Sequence, residues 1–209
     1  MTALLSVLYI TAIAAASSAV EKRLKKIERE YGHSTADRFR YYYKFLDSAK
    51  DLPERKLLIE VNDFWNGVRY AGDITVWGKK DYWATPYEFL LRGRGDCEDY
   101  VIAKYFTLKK LGIDTKRLYF VYVRVKGYKL PHMVLAYFET PESDPLVLDS
   151  LNLKIFRASE RKDIIPVYTF NGELLQRFKD RSVEGLGDKN SMVKLKWDDL
   201  IERIKKEPL

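Results

Sequence analysis

Cysteine is almost absent from this sequence: Cys97 is the only one in 209 residues. A lone thiol excludes an intrachain disulfide framework, a cysteine zinc cluster and a CxxC redox pair. Histidine is nearly as scarce. His33 and His132 lie far apart, so no HExxH zinc motif exists. Seven Pro and eleven Gly are too few for a collagen-like or linker chain. Apolar residues are not scarce, at 46% hydrophobic and 14% aromatic, and such a chain builds a core rather than staying disordered. With no internal repeat and no long linker, the length fits one domain.

Charge of one sign is also missing as a block. The balance is 37 Lys and Arg against 30 Asp and Glu, a net +7. The basic residues are interleaved with acidic ones, as in Glu21–Glu30 (EKRLKKIERE) and Glu202–Glu207 (ERIKKE). Mixed-sign runs are solvated helix faces, so no nucleic-acid groove is expected. The net positive surface still favours anionic membranes or acidic partners.

The first twenty residues stand apart because they carry no charged side chain. An apolar stretch from Leu4 to Ala15 runs into the small residues Ala14 to Ala19, the pattern of a signal-peptide core and cleavage region. Its first residues, Met1-Thr2-Ala3, hold no Lys or Arg. An uncleaved membrane anchor of about twenty residues is the other reading. Residues 1–20 are therefore expected to direct export, with a single domain over 21–209. In an exported chain Cys97 has no thiol partner of its own, so it is either buried and inert or kept for chemistry.

Periodicity places the elements. Ser34 and Thr35 offer N-caps for a helix over Ala36–Ala49, and Pro53 opens a second. In that second helix Leu57, Leu58, Val61, Phe64, Trp65 and Val68 form one buried stripe. Residues Tyr70 to Pro86 read as a loop holding Trp77 and Trp83. A third helix begins near Glu98 and stops at Leu111-Gly112. The period then changes to two. Leu118–Val125, His132–Phe138 and Pro145–Asp149 read as successive strands, Ile164–Phe170 as a fourth, and Trp197–Lys206 as a last helix. Helices first and antiparallel strands after give an α+β fold rather than a βαβ one.

Cys97 sits within Arg92-Gly-Arg-Gly-Asp-Cys-Glu-Asp-Tyr100, directly before an apolar helix. A thiol at a helix N-terminus meets free N–H groups and the positive dipole end, which favour a thiolate and can hold an oxyanion. Its polar neighbours Asp96, Glu98 and Asp99 argue against an inert core cysteine. His132 opens the second strand and Asp149 ends the third, and a hairpin sets two such residues side by side. Cys97, His132 and Asp149 then supply nucleophile, base and orienting carboxylate. Arg94-Gly95-Asp96 spells a cell-attachment tripeptide, but the glycine has a turn role and the tripeptide is discarded. Trp77 and Trp83 read first as core aromatics.

At these residues the sequence resembles the bacterial transglutaminase-like cysteine proteinases of the LapG type. The similar segments are Trp77-Gly78, Asp81–Pro86 with Glu88-Phe89-Leu90, Gly95–Tyr100 continuing through Ile102–Tyr105, His132–Ala136, and Leu148-Asp149. The resemblance implies a papain-like, transglutaminase-like α+β fold with catalytic Cys97, His132 and Asp149. It further implies a periplasmic, calcium-dependent endopeptidase that clips a large repeat adhesin near its N-terminus, after paired alanines, and so releases biofilm cells. The implied second partner is the periplasmic domain of an inner-membrane cyclic-di-GMP receptor, which sequesters the protease. It also makes the tryptophan-rich loop a border of the cleft.

Three carboxylates within two residues of Cys97 oppose a thiolate. Either they serve as N-terminal helix anions, or they hold a hard cation that neutralises them and fixes the loop. The resemblance implies calcium, with Asp96, Glu98 and Asp99 as its ligands and Asp81 as a further contributor. Two other functions share the same residues. A transglutaminase or amidase passes the acyl group to an amine, and a non-catalytic module only holds a peptide in the cleft.

Overall fold

Helices give way to strands where the apolar period changes, and within residues 48–207 helix packs on one antiparallel sheet. The computed structural model describes residues 18–173 and 188–207. The expected export segment lies outside the described residues over positions 1–17. Among the described residues no helix is long and apolar enough to cross a membrane.

The described residues divide into two compact units, 18–47 and those from 48 to 207. In the first, α1 (residues 18–31) turns at Gly32, with φ of +86°, into α2 (His33–Ala49). The turn is tied by His33 Nδ1 to Glu28 Oε1 at 2.6 Å. Thr35 does not cap α2. The helix starts earlier, and the Thr35 hydroxyl donates back to the Tyr31 carbonyl at 3.1 Å.

The second unit is built around α6 (Cys97–Lys110), which buries residues on every side, from Tyr100 to Leu108. A helix apolar all round belongs in a core. Against it lies α3 (Glu54–Asn66), burying Leu57, Leu58, Val61 and Trp65. Trp65 donates its indole N–H to Thr107 at 2.9 Å and stacks on Phe89 with ring centroids 5.4 Å apart. Pro53 caps α3 from outside rather than forming its first turn.

The expected loop over 70–86 has structure of its own. Strand β1 (Arg69–Tyr70) pairs in parallel with β2 (Arg94–Gly95), and α4 (Asp73–Trp77) lies between them in the chain. A further helix not expected from the sequence, α5 (Pro86–Arg92), follows. Its signal was present, since Thr85-Pro86-Tyr87-Glu88 is a capping box. The Glu88 N–H donates to Thr85 Oγ1 at 3.1 Å and the Thr85 N–H to Glu88 Oε2 at 2.9 Å.

The sheet runs β6-β5-β4-β3-β7, all neighbours antiparallel, with β3 (Leu118–Val125), β4 (Pro131–Tyr137), β5 (Leu146–Leu148), β6 (Phe156–Arg157) and β7 (Ile164–Phe170). Strand β7 returns to the free side of β3 rather than extending the meander. Val121, Val123, Val125, Val134, Ala136 and Val147 cluster on one face, as a period of two requires. The last helix, α7 (Asp188–Lys206), begins nine residues before the expected start at Trp197. Trp197 is fully buried against Tyr105, Phe106 and Phe120. The fold class is α+β, as the sequence implied.

Candidate active site

The route of the chain into Cys97 is tightly specified. Gly93 ends α5 with φ of +60°, β2 pairs with β1, and the Ala71 N–H reaches the Gly95 carbonyl at 2.8 Å. Gly95 is needed for close approach, because a Cβ there would run into the Asp99 carboxylate and the Phe89 ring. Asp96 then caps α6 and Cys97 is its first residue. The half-buried thiol donates to Glu98 Oε2 at 2.9 Å, and the backbone N–H of Met133 lies close enough to favour its ionised form. Burial and then the Glu98 charge push the thiol well above its ordinary range, and the Met133 N–H pulls the other way. The helix N-terminus by itself is therefore outweighed here by burial and by a carboxylate in contact with the sulfur.

Met133 follows His132 on β4, so this N–H brings the thiol to the strand that carries the imidazole. His132 is buried, and its Nε2 lies 2.6 Å from Asp149 Oδ1. Strand β5 stops at Leu148, leaving Asp149 just beyond the ladder. Extending the register Leu135↔Leu148 by one step sets Asp149 opposite Val134, a diagonal neighbour of His132 on the same face. The bond to Asp149 occupies Nε2 and leaves Nδ1 as the other ring nitrogen.

Asp149 is held at every oxygen. Oδ1 also accepts the Leu151 N–H at 3.0 Å, and Oδ2 meets buried Arg161 at 2.7 Å. Its main-chain carbonyl accepts from Lys104 Nζ at 3.0 Å and Asn66 Nδ2 at 2.9 Å. Burial would raise the Asp149 carboxyl, but the His132 bond and charge, the Leu151 N–H and Arg161 together hold it well below the usual carboxylate range.

A carboxylate cluster lies beside the thiol. Asp73, Asp96 and Glu98 each offer an oxygen within 4.8 Å of the others. Asp73 Oδ2 accepts the Tyr82 N–H, while Asp73 Oδ1 and Asp96 Oδ1 are buried with no hydrogen-bond partner. Burial and neighbouring carboxylates push Asp73 up to about 6 and Asp96 up to about 9. Buried oxygens without donors, set against like charge, are what a hard divalent cation satisfies, and oxygen-only ligands suit calcium.

The cluster does not coincide with the expected ligand set. Asp99 is 1% exposed and spends its oxygens on backbone N–H groups, Ala84 at 2.8 Å and Asp96 at 3.3 Å. Asp81 pairs with Lys196 instead. Asp73, which takes the third place, was missed. It lies more than twenty residues before Asp96, and only the β1–β2 pairing brings the two together.

Comparison with known proteins identifies the family. The bacterial transglutaminase-like cysteine proteinase family matches residues 46–163. The chain belongs to this family. Calcium-bound LapG of Legionella pneumophila is 40% identical, with a TM-score of 0.70 over 88% of this chain and 98% of that one. EGTA-treated LapG of the same organism is 39% identical, with a TM-score of 0.70 over 88% and 96%. No curated protein matches the chain.

The other residues singled out in this transglutaminase-like proteinase have structural places. Trp83 is buried and stacks on Phe170 with centroids 6.0 Å apart. Trp77 packs on Tyr82 at 4.7 Å. In Arg94-Gly95-Asp96 the glycine is buried and the aspartate belongs to the carboxylate cluster, so the tripeptide is not displayed for attachment.

Proposed function

We propose that this family member is a calcium-dependent cysteine endopeptidase with Cys97 as nucleophile, His132 as general base and Asp149 as orienting carboxylate. The observation that carries the reading is the thiol at the start of α6, near the Met133 N–H of a strand whose His132 is bonded to Asp149. His132 takes the thiol proton, and the sulfur attacks the peptide carbonyl. The imidazolium then protonates the departing amine, and water, deprotonated by His132, hydrolyses the thioester. Asp149 fixes the ring and stabilises its charged form. N–H groups at the start of α6 face the oxyanion.

Asp73, Asp96 and Glu98 hold the calcium in this reading, which neutralises the charge that opposes the thiolate. LapG with bound calcium, 40% identical, supports it, as do the two buried oxygens without partners. The proposed substrate is a large repeat adhesin, cut near its N-terminus after paired alanines in the periplasm to release biofilm cells. The proposed regulator is the periplasmic domain of an inner-membrane cyclic-di-GMP receptor. Support for these comes from the family resemblance, and for export from the uncharged first twenty residues.

The test is incubation of the purified protein with the N-terminal region of a large repeat adhesin from the same genome, with and without a calcium chelator, and mass spectrometry of the products. A single cut at paired alanines, lost with chelator and in Cys97→Ala, is expected. An intact adhesin in the presence of calcium refutes the substrate assignment.

A further inference from the structure

Lys104 is fully buried in α6, an unusual place for a lysine. It stands seven residues after Cys97, two helical turns or about 10 Å along the axis and on nearly the same face. Its ammonium touches two acceptors: Asn62 Oδ1 on α3 at 2.9 Å and the Asp149 carbonyl at 3.0 Å. Asn62 in turn donates from Nδ2 to the Leu153 carbonyl at 2.7 Å. The Lys104–Asn62 pair thus grips both ends of the 149–153 segment, where no β-ladder partner holds the chain. Burial pushes the Lys104 amine down to about 7, against the pull of Asp149 and Asp63. An amine donates to both acceptors with or without its third proton, so the grip does not depend on charge.

Nothing in the proteolytic mechanism uses this side chain, yet it joins the helix that carries the nucleophile to the residue that orients the base. We propose that Lys104 is a positioning residue, which fixes the Asp149 main chain against α6 and thereby sets the placement of the His132 imidazole relative to Cys97. This rests on the reading of Cys97, His132 and Asp149 as a triad. Arg161 and Leu151 hold the Asp149 carboxylate, and Asn66 on α3 donates to the same carbonyl at 2.9 Å, whereas Lys104 is the donor that comes from α6 itself. Displacements of about 1 Å in a catalytic group are enough to cost about 100-fold in rate.

The experiment uses the full chain in calcium and exploits its single cysteine. Two readouts are taken well below each variant's melting temperature: the iodoacetamide alkylation rate of Cys97 at pH 7, and the downfield ring N–H proton of His132 in the NMR spectrum. Lys104→Met keeps the apolar stem and removes the donor. It is expected to slow alkylation about tenfold or more and to broaden the His132 resonance, within an otherwise dispersed spectrum. A folded Lys104→Met with the wild-type rate and resonance overturns the proposal. If Lys104→Met does not fold, Asn62→Ala decides, since it removes the acceptor that aims the amine. Slowing of about threefold or more with the same spectral change supports the proposal, and wild-type behaviour overturns it. His132→Ala separates the two levels. If it alkylates as fast as wild type, the triad reading fails and takes this proposal with it. If it is slow while Lys104→Met is fast, positioning alone fails.

Discussion

Cys97, at the scale of single residues, is a thiol whose immediate partner opposes its ionisation. Glu98 accepts the S–H at 2.9 Å, and a substrate or cation has to break that contact before the sulfur attacks. Cys97→Ala is expected to abolish cleavage with no loss of fold. His132→Ala removes general-base help, a loss of about 10²–10⁴-fold measured as kcat/KM. Asp149→Asn is expected to be less complete, because buried Arg161 keeps Asp163 at 2.8 Å and the site does not collapse. Full cleavage by Cys97→Ala refutes the nucleophile assignment outright. Asp73→Asn isolates the cation site without touching the residues around the thiol. It is expected to shrink the calcium-induced rise in melting temperature, which calorimetry measures, while leaving the calcium-free protein at least as stable.

At the scale of the element, the start of α6 separates two kinds of acidic residue that look alike in the sequence. Asp99 is a brace: its oxygens satisfy the Ala84 and Asp96 N–H groups. Asp99→Ala leaves both donors buried and unpaired, a loss of about 1–3 kcal/mol for each, and calcium does not restore it. Asp96→Ala removes a buried oxygen that has no donor together with the N-cap side chain of α6, so it is expected to lose the calcium-dependent part of the stability on top of about 1 kcal/mol for the cap. Denaturant melts with calcium and with chelator distinguish the two patterns. Equal responses from the two variants count against the division. Gly95→Ala forces its methyl into Asp99 and the Phe89 ring, an overpacking loss of about 1–3 kcal/mol.

For the whole molecule the cluster predicts how pH and calcium act together. Asp73 and Asp96 bind their protons more tightly in the fold, at about 6 and about 9, than at the ordinary value of 3.8. The folded chain then holds more protons than the unfolded one, so stability falls as pH rises from about 4 through these values. Glu207, raised to about 7 chiefly by burial, adds to the fall with or without calcium. Lys104 opposes it only above about 7, and Asp149 contributes its stabilisation in full above about 4. Calcium requires the ionised carboxylates, and its binding competes with their protons. Between about pH 5 and 7 the melting temperature of the calcium-free protein is expected to fall, and the gain from added calcium to grow. A gain independent of pH over that range, seen by scanning fluorimetry with and without chelator, contradicts the cluster as the site.

Local order was legible along the chain: the change of period after Gly112, the strands read from Leu118, His132 and Ile164, and the helix opening at a lone cysteine. Each depends on residues close in the chain, where alternation, caps and glycine stops act directly. The capping box of Thr85 and Glu88 is a local signal of the same kind for α5. Which acidic residues meet depends on packing between distant parts of the chain. Asp73 joins Asp96 and Glu98 because a two-residue parallel pairing, Arg69↔Arg94 and Tyr70↔Gly95, folds α4 back onto the start of α6. Asp99 leaves the cluster because a helix turn points it at the backbone of Ala84. Lys104 acquires its place at Asp149 only when α3, α6 and the end of β5 pack together. Hydrogen-bond demand in a buried site is satisfied across long chain separations, and no local pattern in the sequence records it.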